Sequence, residues 1–406
     1  MRIAMISEHA DPLAALGEVD AGGQNLHVAE LSSALYRAGH DVTVYTRQDG
    51  RRQPAGVERP KGYRVVHVPA GPAKVVPKDE LLPYMAEFTR FVSRRWRDAP
   101  PDVVHSHFWM SGIVAVNAGR HHRVPVVHTY HALGTVKRRH QAGADTSPPD
   151  RIRTERVIGG SVSRIIATCS DEVRELGAMG INGNRVAVVP CGVDHDRFRP
   201  EGPVAARQLP HRVVSVGRLV PRKGFAHLIV ALRACPDTEL VIVGGPDEPG
   251  LAGDREACRL RAMARRMGVA DRVRLVGRLP RDRMPELLRS ADLVACTPSY
   301  EPFGIVPLEA MACGVPVLAT AVGGLTDTVV DGVTGVLVPP DRPRLLAAAM
   351  NALLADPVKR TFLGAAGRDR AESRYQWQRI AAETTRVYEG CVDRSGTGRL
   401  AAAGSA

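Results

Sequence analysis

Long apolar runs, paired cysteines and a secretory signal are all missing from this chain of 406 residues. Hydrophobic residues make up 44% of the chain, but no run approaches the roughly 18 residues that a membrane span requires. The seven cysteines form no CxxC pair, which favours reduced thiols over a disulfide framework or a zinc ribbon. Residues Met1–Ser7 do not resemble a signal peptide. We therefore expect a cytoplasmic protein without stable membrane insertion.

Basic runs interleaved with aromatic residues are also missing, although the formal net charge is +12. Aromatic residues account for only 4% of the chain, and the basic residues are spread along it. Proteins that bind single-stranded nucleic acid stack bases on aromatic side chains in a basic groove. We therefore expect no nucleic-acid partner. The positive charge suits phosphorylated small molecules instead.

Short apolar runs alternate with helical stretches along the chain, a pattern typical of parallel sheets built from βαβ units. In the first half, strand-like runs lie at residues 2–6, 42–45, 64–68, 103–105, 124–128, 165–168 and 186–189. In the second half they lie at residues 212–216, 240–243, 273–276, 293–296 and 315–318. The sequence predicts two doubly wound α/β domains, with a ligand cleft between them at the carboxyl ends of both sheets.

Composition predicts where these domains begin and end. The N-terminal domain covers residues 1–193 and the C-terminal domain residues 211–374. Between them, the polar and proline-containing stretch 194–210 is interpreted as a linker. An amphipathic helix is predicted for residues 375–391, followed by a mobile tail at 392–406.

Two glutamates eight positions apart are the most informative feature of the second half. Glu301 and Glu309 lie in the segment Pro298–Ala310, around a predicted helix start at Pro307. The amides of residues 304–306 should then point out of the helix N-terminus towards an anion such as a diphosphate. The two carboxylates can accept hydrogen bonds from hydroxyls of a sugar and a ribose. This segment therefore suits a nucleotide-sugar site.

Two turns between a strand and a helix carry further candidates. In the first half, the loop Asp20–Asn25 contains a glycine pair that lets backbone amides approach a ligand. In the second half, the turn Val216–Gly224 contains three cations that suit a diphosphate. The candidate residues are Gly22, Gly23 and Asn25 in the first turn, and Gly217, Arg218 and Lys223 in the second.

Together, the acidic pair, the GGQN loop and the GRLVPRKG turn resemble the retaining glycosyltransferases of family 4, which have the GT-B fold. Further matches are the segments Asp102–Gly112, His128–His131, Val189–Asp194 and Gly314–Val317, so the resemblance covers almost the whole chain. Within the family the chain resembles the branch that contains sucrose-phosphate synthase and the mycothiol-pathway enzyme that glycosylates inositol phosphate.

This resemblance implies a role for each matching residue. Glu301 is similar to the glutamate that contacts the donor sugar, and Glu309 to the one that binds the ribose. Arg218 and Lys223 match the cations that neutralise the diphosphate, and His131 matches a histidine near the reacting sugar. The remaining residues implied in nucleotide-sugar binding are Gly22, Gly23, Asn25, Gly217, Arg278, Phe303, Gly304, Ile305 and Val306. The implied donor is a UDP-sugar carrying glucose or N-acetylglucosamine, and no metal ion or other cofactor is implied.

The acceptor is less defined by the resemblance. Lys78 matches a lysine that binds the acceptor phosphate in the inositol-phosphate branch, and Lys137, Arg151 and Arg153 could reinforce the same pocket. Phe108 replaces a tyrosine of that branch, and Ala132 replaces a threonine, so two hydroxyls expected at the phosphate are missing. The acceptor is expected to be a small soluble molecule such as a cyclitol, inositol phosphate or sugar phosphate. An unphosphorylated aminocyclitol or natural product stays open, as does a homodimer.

Histidines in the first half support one alternative from another enzyme class. His105 and His107 form an HxH element, and His128 and His131 follow at the next predicted strand end. Such elements bind zinc in metal-dependent hydrolases. No acidic ligand follows at a matching strand end, which argues against this alternative. A non-catalytic nucleotide-sugar binder and a GT-B epimerase predict a lost or different acidic pair, whereas both glutamates are present.

Overall fold

The computed structural model describes residues 1–13, 22–50, 57–58, 62–141, 143 and 145–403, with the side chains of 57–58 and 394–403 left undescribed. These residues form two compact units. Unit 1 contains the described residues up to Pro190 together with those from Trp377 onward. Unit 2 contains Cys191–Gln376.

Unit 1 is built on one sheet. Its strands are β1 (Arg2–Ile6), β2 (Asp41–Arg47), β3 (Val57–Glu58), β4 (Arg64–Val68), β5 (Val103–His107), β6 (Val126–Thr129), β7 (Arg164–Ala167) and β8 (Val186–Val188). Their order is β3-β4-β2-β1-β5-β6-β7-β8, and every neighbouring pair is parallel except β3 with β4. All residues of β5 are buried, as expected for a central strand that is covered on both faces.

Helices connect these strands. They are α1 (Gly23–Arg37), α2 (Met85–Arg95), α3 (Trp109–His122), α4 (Gly134–Gln141), α5 (Arg151–Ser161) and α6 (Ser170–Ala178). α1 buries Val28, Leu31 and Leu35, which recur at helical spacing in the sequence. Just after this helix, Gly39 has a φ of +89°, the left-handed conformation that commonly ends helices.

Unit 2 repeats the arrangement with six strands. They are β9 (His211–Val216), β10 (Thr238–Val243), β11 (Val273–Gly277), β12 (Leu293–Cys296), β13 (Val317–Thr320) and β14 (Gly335–Val338). Its helices are α7 (Phe225–Leu232), α8 (Arg255–Arg266), α9 (Met284–Arg289), α10 (Ile305–Ala312), α11 (Leu325–Thr328), α12 (Pro343–Ala355) and α13 (Pro357–Arg374). The strand order is β11-β10-β9-β12-β13-β14, all parallel. The predicted doubly wound α/β class is confirmed.

The strand order of each sheet reverses once, and the reversal determines where a ligand can bind. In unit 1 the first strand lies between β2 and β5, and in unit 2 the strand β9 lies between β10 and β12. Successive connections on either side of such a point leave in opposite directions, which opens a crevice at the carboxyl ends of the strands. The described part of the predicted loop Asp20–Asn25 comes after β1 in the chain, and the predicted turn Val216–Gly224 begins at the end of β9.

Every predicted strand overlaps an observed one, but the bounds differ at prolines. β6 begins at Val126 rather than Val124, because Pro125 has no N–H for the sheet. β13 begins at Val317 rather than Val315, because the Val315 N–H donates to the Ala310 carbonyl oxygen of α10 at 3.0 Å. The short strands β3 and β14 were not predicted.

The predicted linker 194–210 contains no helix or strand, but it belongs to unit 2. Phe198 is fully buried, and the guanidinium of Arg281 lies 5.0 Å from its ring centroid. The Ala205 N–H also donates to the Glu286 carbonyl oxygen at 3.2 Å. The segment is therefore packed onto unit 2, which its polar composition did not indicate.

The last helix, α14 (Trp377–Ala403), belongs to unit 1 and packs on α1. The sequence predicted a helix at 375–391, so the observed helix begins two residues later and continues further. It covers residues 392–403, which the sequence analysis assigned to a mobile tail. Residues 404–406 lie outside the described part. Among the described helices, none is both long and apolar enough to cross a membrane.

Candidate active site

The turn between β9 and α7 carries Arg218 and Lys223, the two predicted diphosphate-binding cations of unit 2. A short 3-10 turn covers Pro221–Lys223, and α7 begins directly after Gly224. Gly224 has a φ of +73°, and a Cβ atom there would lie 1.8 Å from the carbonyl oxygen of Thr297. Only glycine fits this position. The turn is therefore fixed against the residue that follows β12.

Lys223 forms an ion pair with Glu301. Lys223 Nζ lies 2.6 Å from Glu301 Oε2, and the two side chains are 20% and 18% exposed. Burial by itself would raise the pKa of Glu301, but the charges of Lys223, Arg222 and Arg218 outweigh it and lower this pKa. Glu301 is therefore an ionised hydrogen-bond acceptor surrounded by cations, and the structure brings three predicted site residues together.

Arg222 is a site residue that the sequence analysis did not assign. Its Nη1 donates to the Tyr300 carbonyl oxygen at 3.4 Å, and its own carbonyl oxygen accepts the Ser299 N–H at 2.9 Å. Burial lowers the pKa of this guanidinium. The three cations of the turn were visible in the sequence. Which of them turns towards the Glu301 loop depends on the 3-10 turn, which the sequence analysis did not predict.

Helix α10 begins two residues earlier than predicted. Gly304, with a φ of +94°, precedes the first helical residue, Ile305, so Pro307 is the third helical residue and not the first. The left-handed glycine lets the chain enter the helix at this point. N–H groups in the first turn of a helix have no acceptor within it, so the amides of Ile305 and Val306 lie at the helix N-terminus as expected. Their binding of an anion stays a prediction. Phe303 is buried just before this end.

Glu309 is the fifth residue of α10, so it lies in the second turn rather than the first as predicted. Its side chain is 4% exposed, and Arg281 Nη1 lies 2.7 Å from its Oε1. The two groups do not align as a hydrogen bond, so Oε1 has no hydrogen-bond donor among the described residues. Burial raises the pKa of Glu309, against the opposing charge of Arg281. Arg281, which follows Arg278 by three positions, was not predicted as a site residue.

Three glycine turns meet at the carboxyl ends of the neighbouring strands β9, β10 and β11. A Cβ atom on Gly244 would lie 1.9 Å from the Gly217 carbonyl oxygen. Gly244 donates its N–H to Gly277 at 2.8 Å, and Arg278 donates its N–H to the Pro246 carbonyl oxygen at 2.8 Å. The Arg278 amide is thus occupied within the protein. The role of this backbone in binding a base stays a prediction.

The loop after β13 contacts the backbone of the Glu301 loop. The Gly324 N–H donates to the Glu301 carbonyl oxygen at 2.9 Å. A Cβ atom on Gly323 would lie 2.1 Å from the same oxygen. This close approach of two backbones requires glycine. The glycine pair 323–324 was visible in the sequence but was not assigned to the site.

In unit 1, the predicted Gly22–Asn25 segment forms the start of α1. Gly22 precedes the helix, and its N–H donates to Asn25 Oδ1 at 3.1 Å. Asn25 Nδ2 donates to the Asp11 carbonyl oxygen at 3.0 Å, and the side chain is 3% exposed. Asn25 therefore holds the helix start, while the Gly23 amide belongs to the open first turn. Asp20 and Ala21 of the predicted loop lie outside the described residues.

Three histidines cluster in unit 1, one of them the predicted His131. Nitrogen atoms of His27, His107 and His131 lie within 4.8 Å of one another. Burial lowers the pKa of His27 to about 4 and holds the pKa values of the other two well below the usual range. All three are therefore neutral near pH 7 and could by residue type ligate a metal ion. A 2.9 Å hydrogen bond joins His107 Nδ1 and His131 Nε2.

The other histidines of the hydrolase alternative bond elsewhere. His105 contacts Tyr388 at 2.7 Å and Thr129 at 2.9 Å through its two ring nitrogens. His128 contacts Ser106 at 2.8 Å. The HxH element is therefore divided, since one histidine joins the cluster while the other packs on α14. The sequence analysis missed His27, which lies on α1 far from the HxH element in the chain.

Lys137, predicted to bind the acceptor, is bridged between two carboxylates. Its Nζ lies 3.1 Å from Asp79 Oδ2 and 3.1 Å from Asp145 Oδ1, and it donates to Ser147 Oγ at 3.0 Å. Its positive charge is therefore offset locally. Lys78, which begins the 3-10 turn beside this cluster, is partly exposed.

Arg151 is buried and extensively bonded. Its Nε donates to Glu155 Oε1 at 2.8 Å and its Nη2 to the Ala132 carbonyl oxygen at 2.7 Å. Its guanidinium also lies 5.0 Å from the ring centroid of Phe108, which has a φ of +78°. Arg151 thus brings two predicted acceptor positions together. Arg153, in contrast, is exposed.

Comparison with known proteins identifies the family of the chain. The family model "Glycosyl transferases group 1" matches residues 203–370, and "Glycosyltransferase Family 4" matches residues 21–197. A D-inositol 3-phosphate glycosyltransferase of Xylanimonas cellulosilytica is 38% identical over 97% of both chains. The protein of the same name from Kribbella flavida is 38% identical over 95% of both chains.

Solved structures agree with this grouping. Sucrose-phosphate synthase from Thermosynechococcus elongatus superimposes with a TM-score of 0.87 at 31% identity, covering 96% of this chain and 98% of that one. Anabaena Alr3699/HepE, solved with UDP and glucose, gives a TM-score of 0.75 at 22% identity, covering 96% and 99%. The second likeness concerns the fold alone. The predicted resemblance is confirmed, and the chain belongs to glycosyltransferase family 4, group 1, as a glycosyltransferase with the GT-B fold.

Proposed function

We propose that this glycosyltransferase transfers a sugar with retention from a nucleoside diphosphate, UDP, to a small acceptor such as a cyclitol or an inositol phosphate. The observation that carries the proposal is the Lys223–Glu301 ion pair beside the N-terminus of α10. It combines cations for a diphosphate with an ionised acceptor for sugar hydroxyls. Glucose and N-acetylglucosamine are the candidate sugars.

In this proposal the donor binds to unit 2. Arg218, Lys223 and the first amides of α10 stabilise the charge that develops on the diphosphate when the sugar leaves. Glu301 accepts hydrogen bonds from the sugar, and Glu309 accepts them from the ribose. The departing phosphate takes the proton of the acceptor hydroxyl, so no covalent nucleophile is assigned.

We also propose that the reaction needs no metal ion, because the cations of the β9–α7 turn supply the charge that a metal would otherwise provide. His131 then acts as a neutral hydrogen-bonding group near the reacting sugar, with its ring held by His107. The seven cysteines form no CxxC pair in the sequence, which supports the cytoplasmic location that we also propose.

The acceptor side supports two candidates. The names of the relatives and the presence of Lys78 and Arg151 favour an inositol phosphate. The offset charge of Lys137, together with the apolar side chains of Phe108 and Ala132, favours an unphosphorylated cyclitol or aminocyclitol. Both candidates are polyols, and they differ in whether one substituent is a charged phosphate.

A substrate panel tests the proposal. UDP- and GDP-sugars are combined with myo-inositol 3-phosphate, myo-inositol, sugar phosphates and aminocyclitols, and released nucleotide and glycosylated product are measured with and without excess EDTA. We expect one UDP-sugar to be transferred at a rate that EDTA does not change. Absence of transfer to every acceptor, or activity that requires bound zinc, would contradict the proposal.

Replacement of Lys223 tests the donor site. Lys223→Ala should lower kcat/KM for the UDP-sugar by roughly a hundredfold or more, because it removes one preorganised charge from the leaving group. Lys359→Ala is the matched control, since Lys359 is exposed on α13 of the same unit. Wild-type activity in the Lys223 variant would show that the diphosphate binds elsewhere.

A further inference from the structure

Three histidines of unit 1, His27, His107 and His131, form a cluster that the proposed transfer mechanism uses only in part. One ring nitrogen from each lies within 4.8 Å of the other two. His107 is fully buried, His27 is 3% exposed and His131 is partly exposed. The mechanism uses His131 as a hydrogen-bonding group, but it gives the other two rings no contact with a substrate. The convergence of all three rings therefore needs a further explanation.

The fold brings these histidines together from three elements. His107 is the last residue of β5, His131 follows the neighbouring strand β6 by two residues, and His27 is the fifth residue of α1. β5 pairs in parallel with both β6 and β1, and α1 comes after β1 in the chain. The cluster thus lies at the carboxyl ends of central parallel strands, where open α/β sheets bind their ligands.

Neighbouring rings pack against the cluster and restrict its side chains. The ring of His105 lies 4.2 Å from that of His107, measured between centroids, and both ring nitrogens of His105 are bonded within unit 1. Trp377 packs edge-on against His27 with the centroids 5.7 Å apart. A metal site requires ligands whose own side chains are held by packing. The two buried histidines of the cluster meet this requirement.

The hydrogen bonds of the cluster leave one buried nitrogen unpaired. A 2.9 Å bond joins His107 Nδ1 and His131 Nε2. The other ring nitrogen of His107, Nε2, is buried and has no hydrogen-bond partner among the described residues. An unpaired buried polar atom is unfavourable in a folded protein, and a bound ion is one group that can provide the missing interaction.

The residue types favour zinc. The cluster consists of three imidazoles, and burial lowers the pKa of each, so all three keep a lone pair near pH 7. Zinc binds three histidines at about 2.0–2.1 Å and leaves a fourth position open. The ligand nitrogens of a tetrahedral site lie about 3.3 Å apart. Ring rotations must therefore shorten the observed separations by at most about 1.5 Å. The partly exposed side of His131 gives the ion access.

We propose that His27, His107 and His131 bind a zinc ion, and that the bound ion inhibits glycosyl transfer by withdrawing His131 from the reacting sugar. The inhibition rests on the proposed function, whereas the binding does not. A ring nitrogen that ligates zinc cannot also exchange a hydrogen bond with a sugar hydroxyl. The charge of the ion also opposes the positive charge that develops on the sugar as the diphosphate leaves. Zinc is therefore an inhibitor and not a cofactor of this enzyme.

Zinc binding is measured on metal-free protein by competition with a chromogenic chelator. We expect one zinc ion per chain. His27→Phe, which retains a ring against Trp377, should weaken binding at least about a hundredfold because one of three ligands is lost. His121→Phe is the matched control, since His121 is exposed on α3 of the same unit and should not affect binding. Equal zinc affinity in the wild-type and His27→Phe proteins would overturn the inference. Absence of one-to-one binding to the wild-type protein would overturn it without any variant.

Transfer assays at a buffered zinc concentration test the inhibition, with the donor and acceptor that the panel identifies. Saturating zinc should lower the rate of the wild-type and His121→Phe enzymes at least about tenfold, and EDTA should restore it. His27→Phe, compared with its own zinc-free rate, should lose less than about half of its activity at the same zinc concentration. Equal inhibition of all three proteins would overturn the inference. If the zinc-free wild-type enzyme transfers sugar to no acceptor, the proposed function fails instead, and the chelator competition still decides whether the zinc site exists.

Discussion

At the scale of single residues, Glu301 and Glu309 show how neighbours give similar groups different properties. Glu309 is buried and Glu301 is partly buried, yet the pKa of Glu301 is lowered and that of Glu309 is raised. The difference arises because the cations around Glu301, which are Lys223, Arg222 and Arg218, outweigh the effect of burial. The charges of Arg281 and Arg197 near Glu309 do not outweigh it. Glu301 is therefore suited to accept from a sugar throughout the neutral range.

Two single positions on the acceptor side are expected to determine selectivity. Phe108→Tyr combined with Ala132→Thr restores two hydroxyls found in the inositol-phosphate branch. Each new hydrogen bond to a charged phosphate contributes about 1.5–3 kcal/mol. The double variant should therefore raise kcat/KM for myo-inositol 3-phosphate relative to myo-inositol by at least about tenfold. Steady-state kinetics with both acceptors measure this ratio.

Phe362→Tyr provides the control for that experiment, because this ring is 60% exposed on α13. It should leave the selectivity ratio unchanged. An unchanged ratio in the Phe108→Tyr, Ala132→Thr variant would mean that the acceptor phosphate, if present, lies away from both positions.

Residues differed in how far the sequence could reveal them. Glu301, Glu309 and Lys223 were predicted because each lies in a short motif whose chemistry is local. Arg281 was not, since its contact with Glu309 depends on how the turn after β11 ends. His27 was missed for a related reason. It lies far from His107 and His131 in the chain, and only the folded unit 1 brings the three side chains together.

At the scale of elements, close backbone contacts at glycines connect the loops of unit 2. Gly224 contacts Thr297, Gly244 contacts Gly217, and Gly323 contacts Glu301, each through a carbonyl oxygen that a Cβ atom would strike. The relative positions of these loops are therefore fixed by backbone contacts and not by side chains that could adapt. The ion pair of Lys223 with Glu301 depends on these relative positions.

Gly224→Ala tests this dependence. A Cβ atom at a φ of +73° and 1.8 Å from a carbonyl oxygen cannot be accommodated without moving the turn. We expect the free energy of unfolding to fall by at least about 2 kcal/mol and kcat/KM for the UDP-sugar to fall with it. Urea unfolding and steady-state kinetics measure the two effects.

Gly253→Ala is the control in the same unit, because its nearest neighbour would be 3.9 Å from the added Cβ and its φ is negative. It should change neither stability nor activity by much. A Gly224→Ala variant as stable as this control would mean that the turn adapts, and that its position does not set the site.

The elements themselves were predicted well where periodicity was clear and poorly where prolines and glycines changed a boundary. The shift of β13 and the early start of α10 both reflect backbone bonds that side-chain patterns do not report. β14 was missed because its four residues, which begin with Gly335 and end before Pro339, are too few to show a pattern.

At the scale of the whole molecule, protonation of buried histidines is expected to lower the free energy of unfolding in acid. Burial lowers the pKa of His128 from 6.5 to about 3. Below pH 6.5 the folded protein then binds fewer protons at His128 than the unfolded chain does. The contribution of neutral His128 to the free energy of unfolding is therefore fully present above pH 6.5. That contribution is lost progressively as the pH falls from 6.5 towards 3.

His128→Leu should therefore flatten the acid dependence of stability. Between pH 6.5 and 4, the slope of unfolding free energy against pH should fall by up to about 1.4 kcal/mol per pH unit relative to wild type. Urea unfolding at several pH values measures the slope. Glu172, whose pKa burial raises to about 7, contributes in the opposite direction in this range, so the comparison with wild type is essential. Equal slopes would mean that His128 is not neutral when folded.

The large-scale organisation was the most predictable part of the molecule. Two parallel α/β sheets and the family followed from strand alternation and motifs, and both are confirmed. The boundary between the units was harder to predict from the sequence. The segment 194–210 is polar in composition, but one buried ring, Phe198, and backbone bonds attach it to unit 2.

The assignment of α14 to unit 1 has a consequence for how the protein is made. Residues before Pro190 and residues after Trp377 belong to the same unit, and the whole of unit 2 is encoded between them. On the ribosome, α1 emerges early but must wait for its packing partner, and His105 must wait for the Tyr388 hydroxyl. Unit 2 can thus complete its core during synthesis. Unit 1 stays incomplete until α14 has been synthesised and can pack on α1.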